Sequence, residues 1–161
     1  MTQSMSRTIE IAPVRKSIRV TASQAHAFDV FTSGIGRWWP KKDHFIGQAP
    51  VKTVIIEPRL GGHWYELGED GSQTNIGKVL VWDPPARFVV SWDINASWKP
   101  DTNVGSEVEV RFIADGANAT LVELEHRKFE QMGMEAGAKI RRDVDGGWPA
   151  LLELFKQEAE A

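Results

Sequence analysis

Between Ile140 and Phe155 the apolar residues Ile140, Val144, Trp148, Leu151, Leu152 and Phe155 fall at i, i+4, i+8, i+11, i+12 and i+15, one stripe along one helix. Most of the chain before it reads with the period of two that marks strands. A single helix cannot cover both faces of so much sheet. The sheet must curl around the helix, or leave one face in water. The strands predict the second face to be wet, since Glu107, Glu109 and Arg111 alternate with Val108, Val110 and Phe112, and Glu123 and Glu125 alternate with Val122 and Leu124. The expected fold class is therefore α+β. A curved antiparallel sheet of six or seven strands wraps a long C-terminal helix and encloses an apolar, tryptophan-lined space. Gly146, Gly147 and Pro149 interrupt the stripe, and an interior proline removes a hydrogen bond at ~3 kcal/mol. A kinked continuous helix and a break near Gly146 both fit.

The other elements follow from local signals. Val14 to Thr21 alternates, with Val14, Lys16, Ile18 and Val20 on one face. Ser23 is a plausible N-cap for a short helix carrying Phe28, Phe31 and Ile35, closed by Gly34 and Gly36. Trp38-Trp39-Pro40 follows as a turn or a second short helix, and residues 41–49 form a polar loop carrying Phe45. From Val51 onward six strands alternate with short turns, among them Gly61-Gly62, residues 68–72 and Asp83-Pro84-Pro85, which makes an antiparallel meander. Residues 1–12 read as a flexible tail before a single domain over 13–161.

Composition excludes several classes. A net charge of −3 offers no basic excess for nucleic acid or an anionic membrane. No apolar run approaches the ~20 residues that span a bilayer, so no membrane insertion is expected. The absence of cysteine removes disulfides, thiolate metal sites and cysteine nucleophiles. That fits a reducing cytoplasm, as does an N-terminus without the apolar core of a signal peptide. His26, His44, His63 and His126 have no metal-ligand spacing, Gly61-Gly62 opens no helix as a phosphate loop would, and no cofactor is expected. Lys139, Arg141 and Arg142 read as a solvated helix face.

An ordered series of short segments carries a family resemblance: Val20 to Phe28 (VTASQAHAF), Trp38-Trp39-Pro40, Glu57 to Gly62 (EPRLGG), Gly77 to Pro85 (GKVLVWDPP), Phe88 to Trp92 (FVVSW) and Gly147-Trp148-Pro149. The chain resembles the SRPBCC (START-like, helix-grip) superfamily, and within it the bacterial activator-of-heat-shock-protein-ATPase homologue-like branch, over about Val14 to Phe155. The resemblance implies a helix-grip fold with an inner cavity. The superfamily includes lipid carriers, hormone receptors and polyketide cyclases, so a shared fold does not assign chemistry. The eukaryotic activator makes its principal chaperone contact through an additional N-terminal domain, whereas about a dozen residues precede the first strand here.

Strand alternation also predicts which side chains face inward: Trp64 and Glu66; Val79 and Val81; Phe88, Val90 and Trp92; Val108, Val110 and Phe112; Val122, Leu124 and His126. The last helix adds Trp148, Leu152 and Phe155. Trp39, Trp64, Trp92 and Trp148 are candidates for an aromatic cage or a flat ligand platform, against simple packing. Glu66 and His126 are the two ionisable groups in an apolar set. They suit the orientation of a polar ligand head, or acid–base chemistry. The bland alternative sets the Glu66 carboxylate in water at a strand end and ties His126 to a backbone carbonyl. Trp98, in a polar loop, either lids the cavity mouth or covers a neighbouring strand, and Trp82 is expected on the far side of the sheet from Val81.

The resulting expectation is a protein, monomeric or homodimeric, that binds a small hydrophobic or aromatic molecule through Trp39, Trp64, Glu66, Phe88, Trp92, Phe112, His126, Trp148 and Leu152. The alternatives are a protein-interaction module with a chaperone or other partner, and a cyclase-, aldolase- or hydrolase-like enzyme using Glu66 and His126 as its catalytic pair.

Overall fold

The computed structural model describes residues 10–42 and 46–161. Its elements run β1 (Val14–Val20), α1 (Gln24–Phe31), α2 (Ile35–Trp38), β2 (Val51–Ile56), β3 (His63–Gly68), β4 (Gln73–Asp83), β5 (Arg87–Trp92), β6 (Ser106–Ala114), β7 (Thr120–Arg127), a 3₁₀ turn (Phe129–Met132) and α3 (Met134–Ala159). The seven strands form one antiparallel sheet in the order β1-β7-β6-β5-β4-β3-β2. Six strands are a meander, and the α1–α2 excursion carries the chain from one sheet edge to the other. The sheet curls as a half-barrel around α3, the helix-grip arrangement.

Helix α3 is one continuous element with Pro149 inside it, so no break occurs near Gly146. Its buried stripe contains Ile140, Val144, Trp148, Leu152 and Phe155. Burial of that stripe against the sheet outweighs the missing proline N–H, because each large apolar side chain removed from water contributes ~1.5–3 kcal/mol. Ser23 caps α1, its hydroxyl accepting from the His26 amide, and Ile35 opens the separate helix α2.

The inward set read from alternation is buried in every strand except β4. There the pairing shifts between Val79 and Val81: Val79 faces Val90, but Val81 faces Val89 and Trp82 faces Phe88. A bulge turns every later side chain to the opposite face. Val81 therefore leaves the inner face. Trp82, expected outside, packs inside against Phe28, with ring centroids 5.1 Å apart.

The outer face is charged and internally paired. Glu109 is buried there and accepts from Arg87, Arg111 and Arg127, while Glu107 pairs with Arg127 and Lys128. Desolvation pushes the Glu109 carboxyl up, but the hydrogen bonds from Arg127 and Arg87 outweigh it and hold the group below its ordinary range. The basic residues of α3 do more than meet solvent. Lys139 bonds the Ala96 carbonyl and Arg141 bonds the carbonyls of Ala12 and Pro13, tying a loop and the start of the described chain to the helix. Residues 1–9 of the expected tail lie outside the described residues.

Candidate functional site

The space under the sheet divides into a filled end and an open one. At the filled end Phe28, Phe31, Phe88, Phe112 and Phe155 contact one another edge-to-face, tilted or stacked, with Trp38 and Trp82 at their margin. The ring quadrupoles favour that geometry over a face-to-face sandwich. At the other end four indoles form a closed circuit: Trp39 to Trp64 (5.6 Å), Trp64 to Trp92 (5.8 Å), Trp92 to Trp148 (6.2 Å) and Trp148 to Trp39 (6.1 Å). The four tryptophans singled out from the sequence are thus brought together. They pack on each other, and Trp64 sits behind the other three.

Beside this circuit lies a cleft of about 730 Å³. Its walls include Trp39, Trp92 and Trp148, the β4 residue Ile76, and Asp143 and Gly147 of α3. Glu66 also lines it. Trp64, Phe88, Phe112, His126 and Leu152 are buried elsewhere in the core rather than along this wall. Trp98 lies at the mouth, in the left-handed region (φ 59°) that side chains rarely adopt. It is held there by an indole N–H donated to Asp143 (3.2 Å) and by an edge contact to Trp92. Lys139 donates to the same carboxylate at 2.9 Å. That bond, with the Trp98 bond adding to it, holds the Asp143 carboxyl below the ordinary range, so it is ionised at neutral pH. Trp98 thus both borders the cleft and packs on Trp92 of β5.

Glu66 is buried, and both carboxylate oxygens are engaged. Oε2 accepts the Ile46 N–H at 2.6 Å and Oε1 the Gly47 N–H at 2.8 Å. The strand-end placement in water does not occur. Its carboxylate anchors the loop that follows α2, whose residues Asp43, His44 and Phe45 lie outside the described residues. Charge-assisted hydrogen bonds of this kind contribute ~1.5–3 kcal/mol. Glu66→Gln retains one acceptor and sets an amide N–H₂ against the other backbone donor. The expected result is amide hydrogen exchange at Ile46 or Gly47 at least tenfold faster, about 1.4 kcal/mol of local opening. Unchanged exchange would remove Glu66 from this anchoring role.

His126 is wholly buried and faces Trp92 and Phe129 at ring distances of 4.9 Å and 4.7 Å. The Trp148 indole can only donate, and its N–H meets His126 Nδ1 at 3.2 Å. The ring proton is therefore on Nε2, which has no acceptor among the described residues. Burial drives the imidazole pKa down to about 3, so the ring is neutral. Among the described residues no backbone carbonyl holds it, contrary to the bland expectation. Glu66 and His126 stand on β3 and β7, four strand spacings apart, roughly 19 Å along the sheet. Glu66 is at the wall of the cleft and His126 is behind Trp148, so the two form no acid–base pair in this structure.

Several wall residues escaped the sequence reading: Asp143, Gly146, Gly147, Ile76 and Ile94. The two glycines carried a usable signal. Interior helical glycine costs ~1 kcal/mol relative to alanine, and two in succession within an otherwise regular stripe call for a cause. Among the described residues no group of three or more His, Cys, Asp or Glu side chains is arranged to hold a metal ion, and no helix is long and apolar enough to cross a membrane.

The family model described as activator of Hsp90 ATPase homolog 1-like protein matches residues 21–160, most of the chain. The chain belongs to this family. Among solved structures, this AHSA1 member is 38% identical to the anthrahydroquino-γ-pyrone synthase Txn09, over 92% of this chain and 97% of that one, with a TM-score of 0.64. It is 31% identical to CalC, a self-sacrificing resistance protein from Micromonospora echinospora, over 91% and 93% of the two chains, with a TM-score of 0.65. The Aha1 dimer from Colwellia psychrerythraea shares 16% identity over 93% and 97%, with a TM-score of 0.65, and speaks for the fold alone. No curated protein matches the chain significantly. The AHSA1 fold is a ligand-binding fold of the SRPBCC kind, and it is the fold described above.

Proposed function

We propose that this protein binds an aromatic small molecule in the cleft between the sheet and α3. The observation that carries the reading is the cleft itself: about 730 Å³, walled by Trp39, Trp92 and Trp148. Ligand pockets typically enclose ~300–1,000 Å³ and are lined by apolar and aromatic groups with a few polar ones. Among the described residues, Glu66 and Asp143 are the carboxylates at this wall. The 38% identity to Txn09, whose name specifies an anthrahydroquinone-fused pyrone, supports an aromatic occupant over an aliphatic lipid.

The test is calorimetric titration and thermal shift with one-, two- and three-ring oxygenated aromatics, set against a fatty acid. Dissociation constants in the micromolar range for at least one aromatic are expected. At a ligand concentration 100 times the dissociation constant the fold should gain ~2.7 kcal/mol. If no aromatic binds or stabilises the protein, or the fatty acid alone does so, the reading is lost.

The same likeness favours a second reading, because Txn09 is a synthase. In that reading the bound aromatic is also transformed. Glu66 lines the cleft and is the carboxylate this reading would use, each of its oxygens keeping a second lone pair beside the Ile46 or Gly47 amide that it accepts. Mass spectrometry of oxygenated aromatics incubated with the protein tests this. No product beyond the buffer control leaves binding alone.

A further inference from the structure

The polar groups on the wall of the cleft divide unevenly between donors and acceptors. Among the described residues, three of its four indoles keep their N–H groups from a ligand. Trp98 donates to Asp143, Trp148 donates to His126, and the Trp92 nitrogen is enclosed. The carboxylates do the reverse. Asp143 receives both Trp98 and Lys139 at Oδ2, and its Oδ1 accepts no bond among the described residues.

Glu66 is the more enclosed of the two, at 3% exposure. Its Oε2 lies 2.6 Å from the amide nitrogen of Ile46, a residue that itself borders the cleft, and its Oε1 lies 2.8 Å from that of Gly47. A carboxylate offers about four lone-pair sites, and these two amides take one on each oxygen. The group is thus fixed in orientation by the backbone while acceptor capacity remains. Acceptor capacity left unused in apolar surroundings is costly, and a carboxylate binds a donor more strongly than a neutral oxygen does.

We propose that Glu66 is the ligand-recognition residue of the cleft, and that the aromatic molecule meets it through a phenolic hydroxyl. This inference rests on the aromatic-binding reading and adds the chemical class of the ligand. The O–H donates to an open lone pair of the carboxylate while the rings lie among Trp39, Trp92 and Trp148. No bond to Ile46 or Gly47 has to break. An aryl ether has no proton to give, and an aryl carboxylate sets like charge against Glu66. Among the described lining residues Lys42 is the cation, and it is exposed; a preference for anionic ligands would come from there.

The experiment is calorimetry of wild type and Glu66→Gln with three probes built on one ring system: 2-naphthol, 2-methoxynaphthalene and 2-naphthoate. Wild type should bind 2-naphthol at least tenfold more tightly than either of the others. In Glu66→Gln the advantage over 2-methoxynaphthalene should shrink to threefold or less. Taking the ratio of two ligands on the same folded protein cancels any general loosening around Ile46 and Gly47. A measurement on wild type alone keeps the test decisive if Glu66→Gln folds poorly. Followed by ultraviolet absorbance, bound 2-naphthol should lose its proton at a higher pH than the free compound, because the adjacent carboxylate disfavours a naphtholate. Ionisation at the same pH or lower overturns the inference, as does an advantage above threefold in the folded variant. Tighter binding of 2-naphthoate than of 2-naphthol overturns it in favour of Lys42. A wild-type advantage over 2-methoxynaphthalene below tenfold overturns it and leaves the aromatic-binding reading standing. If wild type binds none of the three, the aromatic-binding reading fails and this inference falls with it.

Discussion

Lowering the pH from 7 to 5 is expected to remove about 2 kcal/mol of folding stability through His126 alone. The imidazole has a folded-state pKa of about 3 against an ordinary value of 6.5, because burial penalises its charged form. A base depressed in this way leaves the unfolded chain holding more protons throughout the interval. Its contribution is complete above pH 6.5 and falls by about 1.4 kcal/mol per pH unit as pH drops toward 3. The outer-face carboxylates act lower down. Glu109 and Glu125 are held below the ordinary range by their arginines despite desolvation, so their contributions are lost only as pH falls through the carboxylate range. Asp93, pushed up by burial, works in the opposite sense near the same acid end. Urea unfolding at pH 7, 6 and 5 measures the slope. His126→Gln, which keeps a polar side chain toward the Trp148 N–H, should flatten it. An equally flat wild-type profile would mean that His126 is charged or hydrated in the folded protein.

Phe155→Ala is expected to cost about 3–5 kcal/mol, a large share of a typical stability of 5–15 kcal/mol. Phe155 is fully buried, with ring centroids 4.8 Å from Phe31 and 5.6 Å from Trp38. It joins α3 to both short helices at the filled end of the core. Truncation removes the transfer energy of the ring and leaves a void that neighbouring aromatics cannot collapse to fill. For a chain of this size the melting temperature should fall by about 6–20 °C. Phe155→Leu, which restores most of the volume, should recover more than half of the loss. A fall below about 1 kcal/mol for the alanine variant would show that this end of the core is loose. Phe155 does not line the cleft, so ligand binding per folded molecule is expected to survive in the leucine variant.

Much of the inner surface was legible because a strand's side chains have a period of two. Phe88, Val90 and Trp92, Val108, Val110 and Phe112, and Val122, Leu124 and His126 are all buried together as alternation requires. The helical stripe was legible for the same kind of reason, and its burial carries α3 through Pro149 without a break. The sequence by itself determined which faces are apolar, and hence that a curled sheet must grip one helix. Three matters waited on the tertiary structure. A bulge beyond Val79 exchanged the faces of Val81 and Trp82, because one unpaired residue cannot be seen in a period that continues on either side of it. The partners of Glu66 and His126 come from a loop 19 residues away and a helix 22 residues away, and the single sequence carries no record of which polar atoms will meet. The open cleft depends on where Gly146 and Gly147 stand relative to Trp92 and Trp98. Empty space is a property of the packed elements together, and no residue in the chain encodes it alone.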